Sequence, residues 1–254
     1  MASVNDLLRF LTGFAPLELQ LDFDNSGFLV GHGDAEVKRV LLALDITNDV
    51  IEEAIQKEAN LIISHHPIIF HPLASLTDNG AGSKVMRLAE NRIAAICMHT
   101  NLDIADGGVN DVLIRLLGAS CTDSLDKDGC GRVGFLPEPL SLEQFLEHCK
   151  SILHTNGIRY VNAGKPVQKL AVMGGAGADS LRDAYEKGCD TYVTADVKYH
   201  QFLDALELGV NLIDADHFCT ENPIIPVLAE MLEKAYPNIR FLISEKHRAL
   251  ISFC

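Results

Sequence analysis

The sequence predicts an α/β fold with two pseudo-symmetric α/β lobes and mixed, mainly parallel sheets. Short apolar runs alternate with amphipathic helical segments, and this alternation occurs twice along the chain. The second set aligns with the first at a constant offset of 130 residues, which matches Ala54 to Ala184 and Asn60 to Asp190. Either a duplication or two unrelated units of one type would produce this match, and both alternatives give sheets covered by helices.

The first set of elements follows a loop and short strand within residues 23–31. Buried strands are expected where apolar residues run together, and helices where apolar residues recur at helical spacing. The predicted strands cover residues 39–45, 60–66 and 92–103, and the predicted helices cover residues 46–59, 83–92 and 107–118.

The second set repeats this order after a glycine-containing stretch. Its predicted strands cover residues 169–175, 189–196 and 210–217, and its helices cover residues 178–188 and 200–209. A final strand over residues 238–246 alternates apolar and polar residues, which is typical of one buried face. We expect one lobe to comprise residues 1–127 with 217–254, and the other to comprise residues 128–216.

The composition is that of a globular protein with a substantial core, because 48% of the 254 residues are hydrophobic and 22% are charged. The net charge of −14 argues against a nucleic-acid partner, since phosphate contacts need clustered lysine and arginine. It suits attraction of cations instead. No apolar run reaches about 18 residues, so we expect no membrane-spanning helix.

The seven cysteines include no CxxC pair, which excludes a zinc ribbon and a thioredoxin motif. The N-terminal segment lacks the positive and long apolar regions of a secretory signal. These features predict reduced thiols and a cytoplasmic protein.

Metal-ligand side chains collect at the ends of the predicted strands. In open α/β sheets, ligands bind beyond the carboxyl ends of the strands. Imidazole and carboxylate together are ligands of zinc, iron or manganese. The candidates at these ends are His65, His66, His99, Asp103, Asp196, His200, His217 and Glu221.

Each candidate also has a purely structural explanation. His65 and His66 would point to opposite faces of a regular strand, although this alternation lapses at a strand end before Pro67. Asp103 is also a reasonable turn residue or helix cap. His217 and Glu221 would share one face of a helix, but the nearby proline at position 223 predicts a turn there.

Residues 174–179, with the sequence GGAGAD, lie between a predicted strand and a predicted helix. This position suits a phosphate-binding loop. However, the segment lacks the lysine of GxxxxGK[ST] and does not fit GxGxxG, so we predict a tight turn. Cys97 and Cys219, near the candidate ligands, are interpreted as structural.

Several segments together resemble the NIF-three-like family, often labelled GTP cyclohydrolase type-two homologues, over nearly the whole chain. The matching segments are FDNSGFLVG, RVLLALDIT, LIISHHPIIF, HTNLDIADGGVND, GGAGAD, TADVKYH and DADHFCTE, in the order of the family. Phe23 replaces the tryptophan usual in the first of these segments.

This resemblance implies that two divalent metal ions are bound per subunit. Their ligands would be His65, His66, Asp103, His217 and Glu221, and the metal would be zinc, iron, manganese or nickel. The resemblance also implies two α/β lobes and a ring-shaped homohexamer. The short connection over residues 118–168 leaves little room for the extra domain that some members carry.

A dinuclear site predicts a metal-dependent hydrolase of a small nucleotide-like or phosphoester substrate. Two metals lower the pKa of a shared water, and the resulting hydroxide attacks the substrate. His99 and His200 are candidate proton shuttles, and Asp196 is a candidate for orienting a metal ligand. The alternative is a protein that stores, delivers or senses metal without turnover, because no substrate-recognition motif is visible.

Overall fold

A computed structural model describes residues 1–254. It contains eleven strands and ten α-helices. The strands are β1 (Gly27–Val30), β2 (Arg39–Ala43), β3 (Leu61–Ser64), β4 (Ala94–Cys97), β5 (Ser120–Ser124), β6 (Arg132–Leu140), β7 (Arg159–Val161), β8 (Val167–Val172), β9 (Thr191–Thr194), β10 (Asn211–Asp214) and β11 (Arg240–Ile243). The helices are α1 (Val4–Phe14), α2 (Asn48–Gln56), α3 (Gly80–Glu90), α4 (Thr100–Ile104), α5 (Val109–Leu116), α6 (Leu142–Leu153), α7 (Leu181–Glu186), α8 (Tyr199–Leu208), α9 (His217–Glu221) and α10 (Ile224–Ala235). None of the helices has the length and apolar character needed to cross a membrane.

The chain divides into two units, each with its own mixed sheet and covering helices, which confirms the predicted α/β class. Unit 1 comprises Met1–Ala105 and Ile224–Arg248, and unit 2 comprises Asp106–Pro223 and Ala249–Cys254. Sequence analysis placed residues up to 127 and from 217 onward in one lobe. In the structure, β5 pairs with β6 and α5 packs on both strands, so these two elements belong to unit 2.

The sheet of unit 1 has the strand order β1-β4-β3-β2-β11. The strands β4, β3, β2 and β11 are parallel, and β1 is antiparallel to β4 at one edge. All four residues of β3 are buried, as expected of a parallel strand covered on both faces. Helix α2 begins where the Thr47 hydroxyl accepts a hydrogen bond from the Val50 amide at 3.2 Å.

The sheet of unit 2 has the strand order β5-β6-β8-β9-β10-β7. The central strands β8, β9 and β10 are parallel, whereas β5, β6 and β7 join through antiparallel pairs. The expectation of mainly parallel pairing therefore holds in unit 1, and unit 2 has more antiparallel than parallel pairs. Its core includes Phe145 and Cys149 of α6, packed in one cluster with Val172 and Ile213 of the sheet.

The offset of 130 residues recurs in the hydrogen bonds of the two units. In unit 1, the Asn60 side chain accepts hydrogen bonds from the backbone amides of residues 38 and 39, and in unit 2 Asp190 accepts from residues 168 and 169. The Arg39 guanidinium donates to the Lys57 carbonyl, just as the Lys169 ammonium donates to the carbonyl of residue 187. Each unit thus fixes its first two parallel strands with the same local device.

Three parts of the sequence-based assignment need correction. The predicted strand over residues 92–103 ends at Cys97, and its polar end folds into helix α4. His217 and Glu221 lie at the two ends of helix α9 rather than on a turn. The strands β5, β6 and β7 and helix α6 occupy the connection over residues 118–168, where no element was predicted. Helix α6 has a capping box formed by Ser141 and Gln144, which is a sequence signal that could have identified it.

A buried glutamate in α2 holds the segment that follows β11. The Glu53 carboxylate, with 3% of its side chain exposed, accepts hydrogen bonds from the Ser244 hydroxyl and from the amides of Glu245 and Lys246. It also pairs with Lys57 at 2.7 Å. Burial acts to raise the pKa of Glu53, but these partners outweigh it and hold the pKa below its usual value.

We expect Glu53→Gln to lower the free energy of unfolding by about 2–3 kcal/mol, because it removes a buried charge-assisted network. The matched control is Glu245→Gln, since Glu245 pairs with the same lysine at 3.3 Å but is 80% exposed. That control should cost less than about 0.5 kcal/mol. Urea unfolding of the wild type and the two variants at neutral pH measures both changes in the free energy of unfolding. An equal decrease in the two variants would contradict the stabilising role of the Glu53 network.

The stabilising effect of Glu53 should depend on pH with a definite sign. A carboxyl whose pKa is lowered on folding stabilises the protein above its unfolded pKa, and this contribution is lost as the pH falls through the folded value. The difference in the free energy of unfolding between the wild type and Glu53→Gln should therefore be largest at neutral pH and shrink below about pH 4.5.

Candidate metal centre

Three histidines converge in unit 1 at the carboxyl ends of two adjacent parallel strands. His65 and His66 follow β3, and His99 follows β4. Their ring centroids are 5.0–5.5 Å apart, and one ring nitrogen of each lies within 4.8 Å of the others. His65 is fully buried, while 21% of the His66 side chain and 15% of the His99 side chain are exposed. The strand alternation does lapse before the proline, and both adjacent histidines join the same group.

Each of these histidines is held through its Nδ1 atom. Nδ1 of His65 donates to the Met98 carbonyl oxygen at 2.7 Å. Nδ1 of His66 donates to Asp45, and Nδ1 of His99 donates to Asp24, each also at 2.7 Å. A proton on Nδ1 puts the lone pair of a neutral ring on Nε2, which is then the nitrogen that a metal binds.

Asp24 lies in the loop before β1, and its carboxylate is surrounded by hydrogen-bond donors. Besides His99, it accepts from the Thr100 amide and hydroxyl and from the Ser26 hydroxyl. Burial acts to raise the pKa of Asp24, but the hydrogen bonds from His99 and Thr100 outweigh it, so the pKa lies far below its usual value. Asp24 is therefore a fixed negative charge behind His99. No role was predicted for Asp24, although it lies in the FDNSGFLVG segment.

Asp45 binds two histidines at once. One oxygen accepts from His66, and the other lies 2.9 Å from Nε2 of His247, in the segment after β11. The Leu44 amide donates to Nδ1 of His247 at 3.3 Å, which places the His247 proton on Nε2, facing Asp45. Burial acts to raise the pKa of Asp45, and the two histidine hydrogen bonds lower it by more. Neither Asp45 nor His247 was predicted to belong to this group, because both are distant from His66 in sequence.

Asp103 lies on α4, immediately after the strand that leads to His99. Its Oδ1 is 3.6 Å from Nε2 of His65, and its side chain is nearly buried. Asp103 is neither a turn residue nor a cap, because it lies within the helix and faces His65. Unit 1 therefore brings an imidazole nitrogen and a carboxylate oxygen together from two neighbouring strand ends.

Unit 2 contributes a histidine and a glutamate from the short helix α9. Nε2 of His217 is 3.0 Å from Oε2 of Glu221, one helical turn later. Nδ1 of His217 donates to Asp196 at 2.7 Å, so its ring is oriented as in unit 1. The helix begins at Asp216, whose side chain accepts from the Cys219 amide at 3.0 Å. Asp216 and Asp196 both have positive φ angles, of 73° and 53°.

The glycine-rich segment GGAGAD packs against α9 and has no phosphate-loop geometry. Its Gly174 and Gly175 amides donate to the Asn110 and Thr220 side chains at 2.9 and 3.0 Å, so these amides are engaged. A Cβ atom at Gly175 would collide with the Glu221 carboxylate, and its φ of +63° also favours glycine. The predicted tight turn is present, and its function is close packing beside Glu221.

These side chains fit divalent metal coordination within each unit. Ligand atoms on one tetrahedral ion, with bonds of about 2.0–2.1 Å, are about 3.3 Å apart. The observed His–carboxylate separations of 3.6 Å in unit 1 and 3.0 Å in unit 2 bracket that value. The oxygen acceptors on Nδ1 are the outer partners that metal-binding histidines normally have. The chain thus contains histidine and carboxylate groups that could hold a metal ion.

The predicted proton shuttles differ in their surroundings. His99 lies within the histidine cluster of unit 1, with its ring anchored by Asp24. His200 is exposed in the first turn of α8 and makes no hydrogen bond through its ring. Asp196 is half-exposed and contacts His217 directly.

Cys97 and Cys219 are buried, and burial raises the pKa of both thiols, which agrees with a structural role.

Comparison with known proteins places the whole chain in one family. The model of the DUF34/NIF3 family, described as NGG1p interacting factor 3, matches residues 2–249. A Clostridium acetobutylicum protein named GTP cyclohydrolase 1 type 2 homolog is 37% identical over 241 residues, or 91% of this chain and 90% of its own length. A Methanocaldococcus jannaschii protein of the same name is 36% identical over 222 residues, covering 85% and 88%.

Solved structures share the fold over nearly their full lengths. Staphylococcus aureus protein SA1388 matches with a TM-score of 0.93 at 29% identity, covering 100% of this chain and 99% of that one. Reduced HcgD from Methanocaldococcus jannaschii matches with a TM-score of 0.86 at 32% identity, covering 96% and 98%. The chain therefore belongs to the DUF34/NIF3 family.

Proposed function

We propose that the chain is a hydrolase that uses two divalent metal ions to act on a small nucleotide-like or phosphoester substrate. The proposed ligands are His65, His66, Asp103, His217 and Glu221. The substrate class follows the name GTP cyclohydrolase 1 type 2 homolog, which related proteins carry. Zinc, iron, manganese and nickel all suit a set of imidazole and carboxylate ligands.

The observation that carries this proposal is the shared orientation of the histidines. Nδ1 of His65, His66 and His217 each donates to a carbonyl or carboxylate oxygen at 2.7 Å. Three of three proposed histidine ligands therefore present the same ring nitrogen for coordination. A histidine that served only to fill the core would need one acceptor, whereas His65 and His217 each also have a carboxylate oxygen near Nε2. One ring nitrogen of His66 lies within 4.8 Å of a ring nitrogen of His65 and of His99.

The number of donors supports two ions. A catalytic zinc normally takes three protein ligands, and five donors exceed that number. Five ligands divided between two ions leave positions open for water or substrate, as a catalytic site requires.

Within this proposal, His99 is the residue that moves protons. Bound divalent metals would supply Lewis acidity and make water easier to deprotonate near neutral pH. With its Nδ1 proton held by the buried Asp24 carboxylate, His99 can accept a proton on Nε2. Asp24 would then stabilise the imidazolium that forms. We favour His99 over His200 for this role because the His200 ring lacks a carboxylate partner.

We expect about two equivalents of divalent metal per chain in the wild type. Glu221→Gln keeps the shape of the side chain and removes its charge, so it should lower the metal content to less than about one equivalent. The matched control is His32→Ala, which removes an exposed histidine outside this group. Elemental analysis after dialysis measures all three proteins. Full metal content in Glu221→Gln would contradict its assignment as a ligand.

We expect His247→Ala to weaken metal binding by about 10- to 100-fold without abolishing it. The substitution removes the partner that holds Asp45 against His66, and outer partners of metal ligands typically contribute this much. Competition with a chromophoric chelator gives the affinity. If the metal affinity of His247→Ala equalled that of His32→Ala, His247 would have no role in positioning Asp45 and His66 for metal binding.

We expect His99→Gln to cut hydrolysis by about 100-fold while most of the bound metal is retained. His200→Gln should have a much smaller effect, because nothing orients that ring. A hydrolysis screen of the metal-loaded proteins against phosphoesters and cyclic nucleobases provides the measurement. If no divalent metal supported any turnover in the wild type, the alternative of metal storage, delivery or sensing would replace the hydrolase.

The resemblance to the NIF-three-like family also implies a homohexamer, and this assembly is part of the proposal. Sedimentation at micromolar concentration tests it independently of the metal and the chemistry.

A further inference from the structure

Two phenylalanine rings are exposed on unit 1 and contact each other. The side chains of Phe23 and Phe70 are 59% and 38% exposed, and their ring centroids are 6.3 Å apart with a tilt of 46°. We refer to these two residues as the aromatic pair. Exposed aromatic rings that touch each other are typical of binding surfaces. In a protein without such a surface, burying these rings in the core would stabilise the fold.

The aromatic pair is held in place by its neighbours in sequence. Asp24, next to Phe23, is fixed by His99 and Thr100. The Asn25 side chain donates to the carbonyl of Ile69, next to Phe70, at 2.6 Å. The two loops that carry the rings are thus tied to each other and to the histidine cluster. A ligand would find the rings already positioned, which lowers the entropic cost of binding.

The aromatic pair also continues directly into the histidine cluster. The Phe70 ring lies 6.1 Å from the His99 ring at 78°, in an edge contact. The His71 ring also makes an edge contact with the Phe70 ring, with centroids 4.7 Å apart. A molecule lying on the aromatic pair would therefore have its other end beside His99.

We propose that Phe23 and Phe70 stack against a planar heterocyclic ring of the ligand, and so select a substrate with a flat aromatic part. This inference rests on the proposed function, because it assumes that the same ligand reaches the metal-binding histidines. A phenyl face offers no hydrogen bond and carries a negative quadrupole, so it suits offset stacking with a flat π system and is poorly matched to a phosphate. The polar part of a nucleotide-like ligand would then face the histidines, and its base would face the aromatic pair.

The absence of tryptophan from the chain permits a direct optical test. Phe23→Trp introduces one fluorophore into the aromatic pair, and Phe135→Trp introduces one at an exposed phenylalanine of β6 as the matched control. Guanosine 5′-monophosphate should quench the tryptophan at position 23 and leave that at position 135 unchanged. Ribose 5-phosphate, which lacks the base, should quench neither. Equal responses at both positions, or none at position 23, would overturn the inference.

Substitution of Phe70 separates stacking from simple apolar contact. Phe70→Leu keeps an apolar side chain and removes the flat face, whereas Phe70→Tyr keeps the face. In the full-length zinc-loaded protein, calorimetry should find guanosine 5′-monophosphate binding about 5- to 100-fold weaker in Phe70→Leu and nearly unchanged in Phe70→Tyr. Unchanged binding in Phe70→Leu would overturn the inference.

Two further measurements distinguish the possible failures. Metal content is determined on the same preparations: if metal is absent from the wild type, the proposed function fails, whereas normal metal content with no base preference defeats only the role of the aromatic pair. Sedimentation of Phe70→Leu tests the competing use of the surface. A smaller assembly with unchanged nucleotide binding would identify the pair as a contact between copies and overturn the inference.

Discussion

An imidazole can be buried only if its N–H finds an acceptor, and this constraint organises the candidate centre. Four histidines, His65, His66, His99 and His217, each donate Nδ1–H to an oxygen at 2.7 Å. Three of these acceptors are aspartates. The same hydrogen bond satisfies the ring donor, fixes the ring orientation and leaves Nε2 as the nitrogen that could bind a metal. One set of contacts therefore both satisfies the histidine N–H groups and orients the groups that could hold a metal ion.

The two units place their polar groups on the same arrangement of strands. In each, the first two parallel strands are joined by a side chain at equivalent positions, Asn60 or Asp190, 130 residues apart. The following strand ends then carry the polar groups: His66 in unit 1 corresponds to Asp196 in unit 2. The equivalent positions differ in chemistry, because unit 1 has a candidate ligand where unit 2 has the aspartate that orients one.

The fold class and the ligand candidates could be predicted because strands and strand ends have local signals. The residues that hold the histidines of unit 1 could not be predicted. Asp24, Asp45 and His247 reach the histidines from distant parts of the chain, and a lone aspartate in a loop has no distinctive sequence pattern. Helix α9 was missed because a proline at position 223 suggested a turn, although the helix ends before it. Helix α6 was different: its capping box was visible in the sequence and was overlooked.

Backbone strain in unit 2 lies beside the proposed ligands. Asp196 and Asp216 have positive φ angles, which cost a non-glycine residue on the order of 1 kcal/mol each. Glycine would relieve this cost, but it would remove the carboxylate that orients His217 and the one that caps α9. Aspartate tolerates this backbone region better than most residues. Glycine occupies position 175 instead, where the backbone must approach Glu221 and no side chain fits. The distribution of glycine and aspartate around α9 therefore follows from which positions need a carboxylate and which need space.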